Sequence, residues 1–591
     1  MSDVEPSAHF PLSMPGAAAD RTAWEHAAAA VLRKSGRLGA EDPDDKVWSA
    51  LTRSTLDGIG ITPLGTPDLV AGGRDDSRPP ARPGGVWDVR VACADPDPAT
   101  TAEHALTDLE NGATSLWLQI GPGGLAPDDL ASALEGVHLD AAAVVVSGGP
   151  PGARAFVDVL TARGLTPASG SNLGADPLGD ALRTDDSAKG PADVSDLLAT
   201  ADLAREHGLL AACVDGTAVH DRGGSDAQEL GWVVAVGTAY LRALEEAGVE
   251  APADLIELRL AATDEQFPTI AKFRAVRRLW NRVLKLSDLQ APTRVHAVTS
   301  RPMMSQFDPY VNMLRTCVAA FAAGVGGADA VTVLPFDAPL GLPDPFSRRI
   351  ARNTSALLTE ESHVAKVSDP AGGAYAVEKL TDDLAEAGWA FLQVIEEAGG
   401  AAAALDLVRA RIAETAAARD VLVAKRRRPL TGLSEFPHLE ETPLERRDYA
   451  AGALPVRGYG HAFEAMRREP AGRPVFLATM GPVAAHTARA TFAANLLAAG
   501  GIDVVSAGAT DSIADVVGAY GQQPVACLCG TDAAYSSWGA DLVKALREAG
   551  ATRVIVAGKT DMGQDDSCAM GVDALDFLTR TREALQREAL R

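Results

Sequence analysis

Between Val86 and Asp337 the chain alternates short apolar runs with stretches of helical periodicity, and this alternation limits its fold more than any other feature. The runs are VWDVRVACA, SLWLQI, AAAVVVSG, a weaker one near Thr166 to Ser169, LAACVDG, LIELRLAAT, RVHAVTSR and AVTVLPFD. Each is long enough for one strand and is followed by apolar residues recurring three and four apart. A strand that feeds a helix and then another strand builds a parallel sheet. About eight such units over roughly 270 residues predict a (β/α)8 barrel, with chemistry on the loops after the strands' carboxyl ends. Asp226 and Glu229 read as a D-x-x-E capping box opening a helix through Leu230, Val233, Val234 and Leu241.

From Arg473 a second α/β pattern begins. Strands PVFLATM, IDVVSAG, PVACLCG and RVIVAG alternate with helices over Ala484 to Ala499 and Tyr535 to Ala549, predicting a doubly wound, flavodoxin-like domain. A ligand there belongs at the strand ends near Met480-Gly481-Pro482-Val483-Ala484-Ala485-His486. Helical segments over Thr381 to Ala424 end in Lys425-Arg426-Arg427-Arg428-Pro429, a solvated basic helix end favoured by the helix dipole. Residues 430–472 carry Pro, Gly and charge without period and read as an interdomain linker. The chain therefore divides into an arm and linker (1–85), a barrel (86–400), a helical and irregular linker (401–472) and a flavodoxin-like domain (473–591). In the arm, Trp24 to Leu32 and Val47 to Leu56 are short amphipathic pieces, and Ser77 to Gly85 is a Pro/Gly linker. With little core of its own, the arm is expected to pack on the barrel or on a partner chain.

With 591 residues and 47% hydrophobic content, two or three well-buried domains are expected. Seventy-nine acidic against 54 basic residues, a formal charge of -25, argue against nucleic acid or an anionic membrane as partner. The six cysteines are too few and scattered for a disulfide framework, and Cys527-x-Cys529 puts two thiols on one face of a strand rather than forming a CxxC pair. The N-terminus lacks a signal-peptide pattern and no apolar run reaches membrane-spanning length, so a cytoplasmic protein is expected.

The stretch Ser347 to Leu380 reads as a helix capped by Ser347, with Ile350, Leu357 and Leu358 on one apolar face, stopped by Asp369-Pro370-Ala371-Gly372-Gly373 before a second helix. Its residues carry a resemblance. R-I-A-R-N-T (Arg349 to Thr354), E-E-S (Glu360 to Ser362), D-P-A-G-G-A-Y (Asp369 to Tyr375) and the upstream Y-V-N-M-L-R-T (Tyr310 to Thr316) are similar to the end of the substrate barrel in the methylmalonyl-CoA mutase family of adenosylcobalamin-dependent isomerases. The family's order, a barrel and then a flavodoxin-like cobalamin domain, matches Val86 to Leu590.

The resemblance also locates departures. Catalytic members carry D-x-H-x-x-G in the cobalamin loop, the His ligating cobalt and the Asp orienting it. Aligning Met480-Gly481 with the family's M-G puts Val483 at the Asp, Ala485 at the His and Ala488 at the Gly. His486 is one position off, a candidate metal ligand or else a loop or helix-start residue. The family's Tyr-His pair after one barrel strand falls on Thr217 and Ala218. His220, two residues on, is a candidate residual donor if the loop is shifted, and otherwise a surface or interface residue. No counterpart of the family's R-T-L-R-Q-Y-A-G-F segment is recognisable in Trp87 to Ala92.

These losses, with Val214 to Leu230, Glu110 to Leu118 and Pro482 to Ala488, resemble the smaller, non-catalytic chain of the family's heterodimeric bacterial members. What this implies is a one-to-one complex in which a large subunit holds adenosylcobalamin and interconverts (R)-methylmalonyl-CoA and succinyl-CoA. No catalytic residue, cofactor or metal is then expected on this chain. The alternatives are a catalytically active acyl-CoA mutase of altered specificity, or a free-standing barrel enzyme or nucleotide-binding protein. Neither G-x-G-x-x-G nor a Walker loop supports the last.

Overall fold

The structure, a computed structural model, describes residues 20–70, 82, 85–184, 193–453 and 456–587. The Pro/Gly stretch from Ser77 to Gly85 lies largely outside these residues, as do the chain's first nineteen.

The arm's two helices, Arg21–Lys34 and Val47–Leu51, bury apolar residues against each other. Trp24 and Trp48 meet at 4.8 Å between ring centroids beside buried Ala29, Leu32, Leu38 and Val47. This is a small core that the sequence alone did not suggest, because each helix is too short for its apolar stripe to be paired by eye. A tether follows. Asp57 accepts hydrogen bonds from the Ser225 hydroxyl and from the Ala227 N–H at 3.3 Å, fixing the arm to the barrel.

Eight parallel strands close the barrel: β1 (Asp88–Cys93), β2 (Ser115–Gln119), β3 (Ala143–Ser147), β4 (Asn172–Ala175), β5 (Leu210–Asp215), β6 (Ile256–Ala262), β7 (Val295–Thr299) and β8 (Ala330–Thr332). Each pairs with its neighbour in sequence, and Ala330 opposite Asp88 closes the ring. Helices cover the outside, which is why runs such as Leu116–Leu118 and Val144–Val146 are buried on both faces. The fourth strand corrects the sequence reading: it lies at Asn172–Ala175, not near Thr166 to Ser169. Its β-propensity is poor, and register with β5 shifts between Asn172 and Ala175. Gly174 has φ +64°, and a Cβ there would lie 1.8 Å from the Val146 carbonyl oxygen.

Two caps also differ. Ser225, not Asp226, caps the Asp226–Glu246 helix in a box with Gln228, freeing Asp226 and Glu229 to pair with Lys272. Asp344, not Ser347, caps the Pro345–Ala356 helix. That helix runs into a π turn at Leu357–Glu361, whose extra residue per turn splits the expected apolar stripe: Leu357 is half exposed while Leu358 is buried. The buried face instead carries Arg348 and Arg352, both donating to Asp108.

After helices Tyr375–Glu397 and Leu405–Ala424, residues 430–453 and 456–472 pass over the barrel's carboxyl-end mouth. Arg446 pairs with Asp337 and Asp344, Arg447 with Asp95, and Arg457 and Tyr459 donate backbone N–H groups to Asp221 and Pro302. The stretch is thus a strap as well as a linker. Its contacts are polar and irregular, so no periodicity announces them.

The second sheet comprises β9 (Val475–Thr479), β10 (Val504–Ser506), β11 (Val525–Cys529), β12 (Arg553–Ala557) and β13 (Asp566–Cys568). All are parallel, in the doubly wound order β10-β9-β11-β12-β13. The edge strand β13 is short and polar and was not anticipated. Cys527 and Cys529 share a face, their Sγ atoms 4.0 Å apart, and of the six free cysteines only Cys317 is exposed. No helix among the described residues is long and apolar enough to cross a membrane.

Candidate functional site

Strands β1, β2 and β4–β8 send charged and polar side chains into the barrel axis. Arg90 on β1 donates to both carboxylate oxygens of Glu257 on β6, at 2.9 and 3.1 Å, and is 4% exposed. Ser115, Asp88 and Asn172 complete the layer. Burial works against the Arg90 charge, but Glu257 and Asp88 outweigh it and hold the guanidinium protonated. One turn along the axis, Asp215 takes Arg183 at 2.8 Å and Arg259 at 3.1 Å. Burial would raise the Asp215 pKa, and these two arginines instead push it well below the usual carboxylate range. Arg259 also lies 4.0 Å over the Trp117 ring and donates to His296 Nδ1. That bond assigns the proton to His296 Nε2, which donates to Thr332 at 2.8 Å. Burial, then Arg90 and Arg259, drive the His296 pKa far down and keep the ring neutral.

Above this filled axis lies a cavity of about 390 Å³ between strand ends and strap. Cys93, Gln119, Arg301, Leu334 and Arg348 form its floor and walls, with Tyr449, Val456 and His461 from the strap side. Its main charges are already spent: Arg301 on Asp221 at 2.9 Å, Arg348 on Asp108, and Asp95 on Arg447. The groups whose titration the site moves all move away from neutrality. Burial raises the Cys93 thiol and pushes Tyr449 up to about 12, while burial and then Arg348 lower His104.

His220 reaches neither the surface nor this cavity, correcting both sequence alternatives. It ends the short Thr217–His220 helix after β5, is 2% exposed, and is absent from the cavity lining. Its Nε2 lies 2.7 Å from Ser300 Oγ and 3.4 Å from the hydroxyl of Tyr459, a strap residue that covers it. Burial, then the nearby Lys272 charge, lower its pKa strongly. Lys272 itself is held protonated despite burial by Asp226 and Glu229, at 2.8 and 2.7 Å. Thr217 is tied to Asp215 at 2.7 Å and Ala218 is buried, so neither offers a group to a substrate.

The second mouth lies where the sheet order reverses, between β9 and β11. Gly481, φ +89°, turns the chain into the Val483–Ala499 helix. Val483 is 61% exposed, Ala488 is exposed and Ala485 half-buried; none carries a donor atom on its side chain. His486 is folded under the first turn, 6% exposed, its Nδ1 donating to the Gly481 carbonyl at 3.1 Å. A macrocycle's metal cannot reach a ring so placed. The crevice is also filled. Arg489 donates to the Gly530 carbonyl at 2.7 Å and lies 4.7 Å over Tyr535. The Tyr535 hydroxyl accepts from Gly530 N–H and faces the Leu528 and Ala557 carbonyls at 3.0 and 2.9 Å. These residues do not fit a cobalamin, and no group of three or more metal-ligating side chains occurs among the described residues.

Sequence reasoning missed the axial network and the Arg489–Tyr535 pair. A signal for the first was present: Arg90, Glu257 and Arg259 interrupt otherwise apolar strands at two-residue spacing. For the second there was none, since its members lie 46 residues apart on separate helical segments.

Residues 127–468 match the family model described as Methylmalonyl-CoA mutase. The chain is 46% identical over 603 residues to the methylmalonyl-CoA mutase small subunit of Streptomyces virginiae, covering 95% of this chain and 96% of that one. It is 42% identical over 581 residues to the probable methylmalonyl-CoA mutase small subunit of Mycobacterium tuberculosis (strain ATCC 25618 / H37Rv), covering 91% and 92%. The methylmalonyl-CoA mutase large subunit of Streptomyces virginiae is 36% identical over 231 residues, 38% of this chain and 32% of that one.

Proposed function

This chain belongs to the methylmalonyl-CoA mutase family, and from that membership we propose that it is the mutase's small subunit, a non-catalytic chain that stabilises a large catalytic one. The complex acts in the cytoplasm and interconverts (R)-methylmalonyl-CoA and succinyl-CoA. Adenosylcobalamin resides on the large subunit. One observation carries the non-catalytic reading: the barrel axis is occupied by the Arg90–Glu257 and Arg183–Asp215–Arg259 pairs. A substrate threading the barrel would have to break buried ion pairs, each costing about 3–5 kcal/mol. The second mouth agrees, with Val483 and Ala485 where an orienting carboxylate and the ligand it holds would stand and Arg489 and Tyr535 in the crevice.

On this reading residues 1–85 act as a clasp, 86–400 and 473–591 as scaffolds, and 401–472 as the strap between them. The test uses the full chain alone and co-expressed with its large subunit. Alone, it leaves the visible bands of added adenosylcobalamin unshifted; together, the two chains elute as a one-to-one complex that carries the turnover. A stoichiometric band shift on the lone chain would favour an active mutase instead.

A further inference from the structure

The barrel's outer helices are of two kinds. Helix Gly149–Arg163 turns Arg154 and Asp158 to solvent, and helix Ser195–His207 turns out Asp196, Asp202, Arg205 and Glu206. Helix Val311–Val325 has one charged residue, Arg315, and it is 6% exposed. Its outward positions are Leu314, 69% exposed, Cys317, exposed, and Phe321, half-buried; Tyr310, 51% exposed, begins the same line. The spacing of four, three and four residues makes one stripe along the helix. The outward face of a surface helix is ordinarily polar, and this one carries no charge.

The stripe has flanks. The Pro345–Ala356 helix and the turn at Val364–Lys366 both pack against helix Val311–Val325. Rings of Tyr310, Phe336 and Phe346 follow one another at 5.2 and 6.1 Å, and Leu357 is half exposed. The stripe and these flanks expose on the order of 500 Å² of apolar surface, taking 150–250 Å² for a whole aromatic side chain. That is the size of the largest, often functional, patch on a monomer and more than half of the ~800 Å² per partner of a standard interface. Tyr310 to Thr316 and Asp369 to Tyr375 are moreover among the stretches that resemble the end of the family's substrate barrel. A chain that lost its catalytic groups but kept exposed apolar residues of the same pattern is using them for something both chains do. Two homologous barrels meeting about a pseudo-twofold axis would each present this same stripe.

We propose that the Tyr310–Phe321 stripe is the surface on which the homologous large subunit docks, through the corresponding stripe of its own barrel. The proposal rests on the small-subunit reading and names its contact face. Two measurements test it on the full chain. Leu314→Asp, at an exposed position, should keep the wild-type circular dichroism and melting curve yet weaken pairing with the large subunit at least tenfold by sedimentation. Met570→Asp, 88% exposed on the other domain, should pair as wild type. Maleimide should label Cys317, located by peptide mass, in the free chain, and the large subunit should suppress that labelling.

If Leu314→Asp pairs normally and Cys317 stays reactive in the complex, the proposal is overturned while the small-subunit reading stands. If the wild-type chain does not pair at all, that reading itself has failed. Protection of Cys317 in the free chain also overturns the proposal. If it grows with concentration, the occupant is a second copy; if it disappears on deleting residues 1–19, the occupant is this chain's own N-terminal segment.

Discussion

The two mouths of this protein are closed by opposite physics. In the barrel, the axis is filled by charges that depend on one another: Arg90 on Glu257, Arg183 and Arg259 on Asp215. In the C-terminal sheet the loop carries exposed Val483 and Ala488, and a neighbouring Arg489–Tyr535 pair occupies the crevice. The first closure is woven into stability, because a buried ion left without its partner is far costlier than the pair. The second is a set of local substitutions that the fold hardly registers. The two arrangements thus differ in what they contribute to stability, and the difference is measurable.

The largest effect should come from Glu257→Ala. It takes from Arg90 its bidentate partner, leaving Asp88 as the remaining carboxylate, and removes one acceptor from Asn172, and we expect a loss at the lower end of about 3–5 kcal/mol in unfolding free energy by denaturant melts. A melt within about 1 kcal/mol of wild type would break the claim that the axial pairs are structural.

A half-buried carboxylate held by a hydroxyl and a backbone N–H sharpens the comparison. Asp215 is pushed down by arginines, whereas burial pushes Asp57 in the arm up to about 6 despite its bond from Ser225. Unfolded, Asp57 titrates near ~3.9, so the folded arm binds the proton more tightly. Its contribution is fully present below about pH 4 and is lost as pH rises through about 6, weakening arm docking by about 1–2 kcal/mol by pH 7.5 for a partly exposed group. Hydrogen exchange around Ser54 to Ile61, corrected for intrinsic rates, should show more protection at pH 5 than at pH 7.5. Asp57→Asn should flatten the dependence, and protection that increases with pH would show the sign to be wrong.

The smallest effect belongs to the second mouth. Val483→Asp with Ala485→His restores the family's ligand pair on paper, yet should change stability by no more than about 0.5 kcal/mol. It should also leave cobalamin unbound by visible absorbance, because Arg489 and Tyr535 still occupy the crevice. A band shift in this double variant would mean that the loop alone, not the crevice, excludes the cofactor.

Much of this was legible in the chain itself. Strand-helix alternation determined the (β/α)8 count and four of the second sheet's five strands, because a short apolar run giving way to a three-to-four-residue period is a local property of neighbouring residues. The family segments and the small residues at Val483, Ala485 and Ala488 were equally readable, being contiguous in sequence. Tertiary structure decided what depends on residues far apart. It moved β4 to Asn172–Ala175, where Gly174 passes close to the Val146 carbonyl, and put His220 beneath Tyr459, 239 residues away. It also turned an aperiodic linker into a strap held by Arg446 and Arg447, and left the apolar stripe of helix Val311–Val325 facing outward. Periodicity says that a helix has an apolar face, but which face meets the core is settled only when strands, helices and strap compete for the same buried volume.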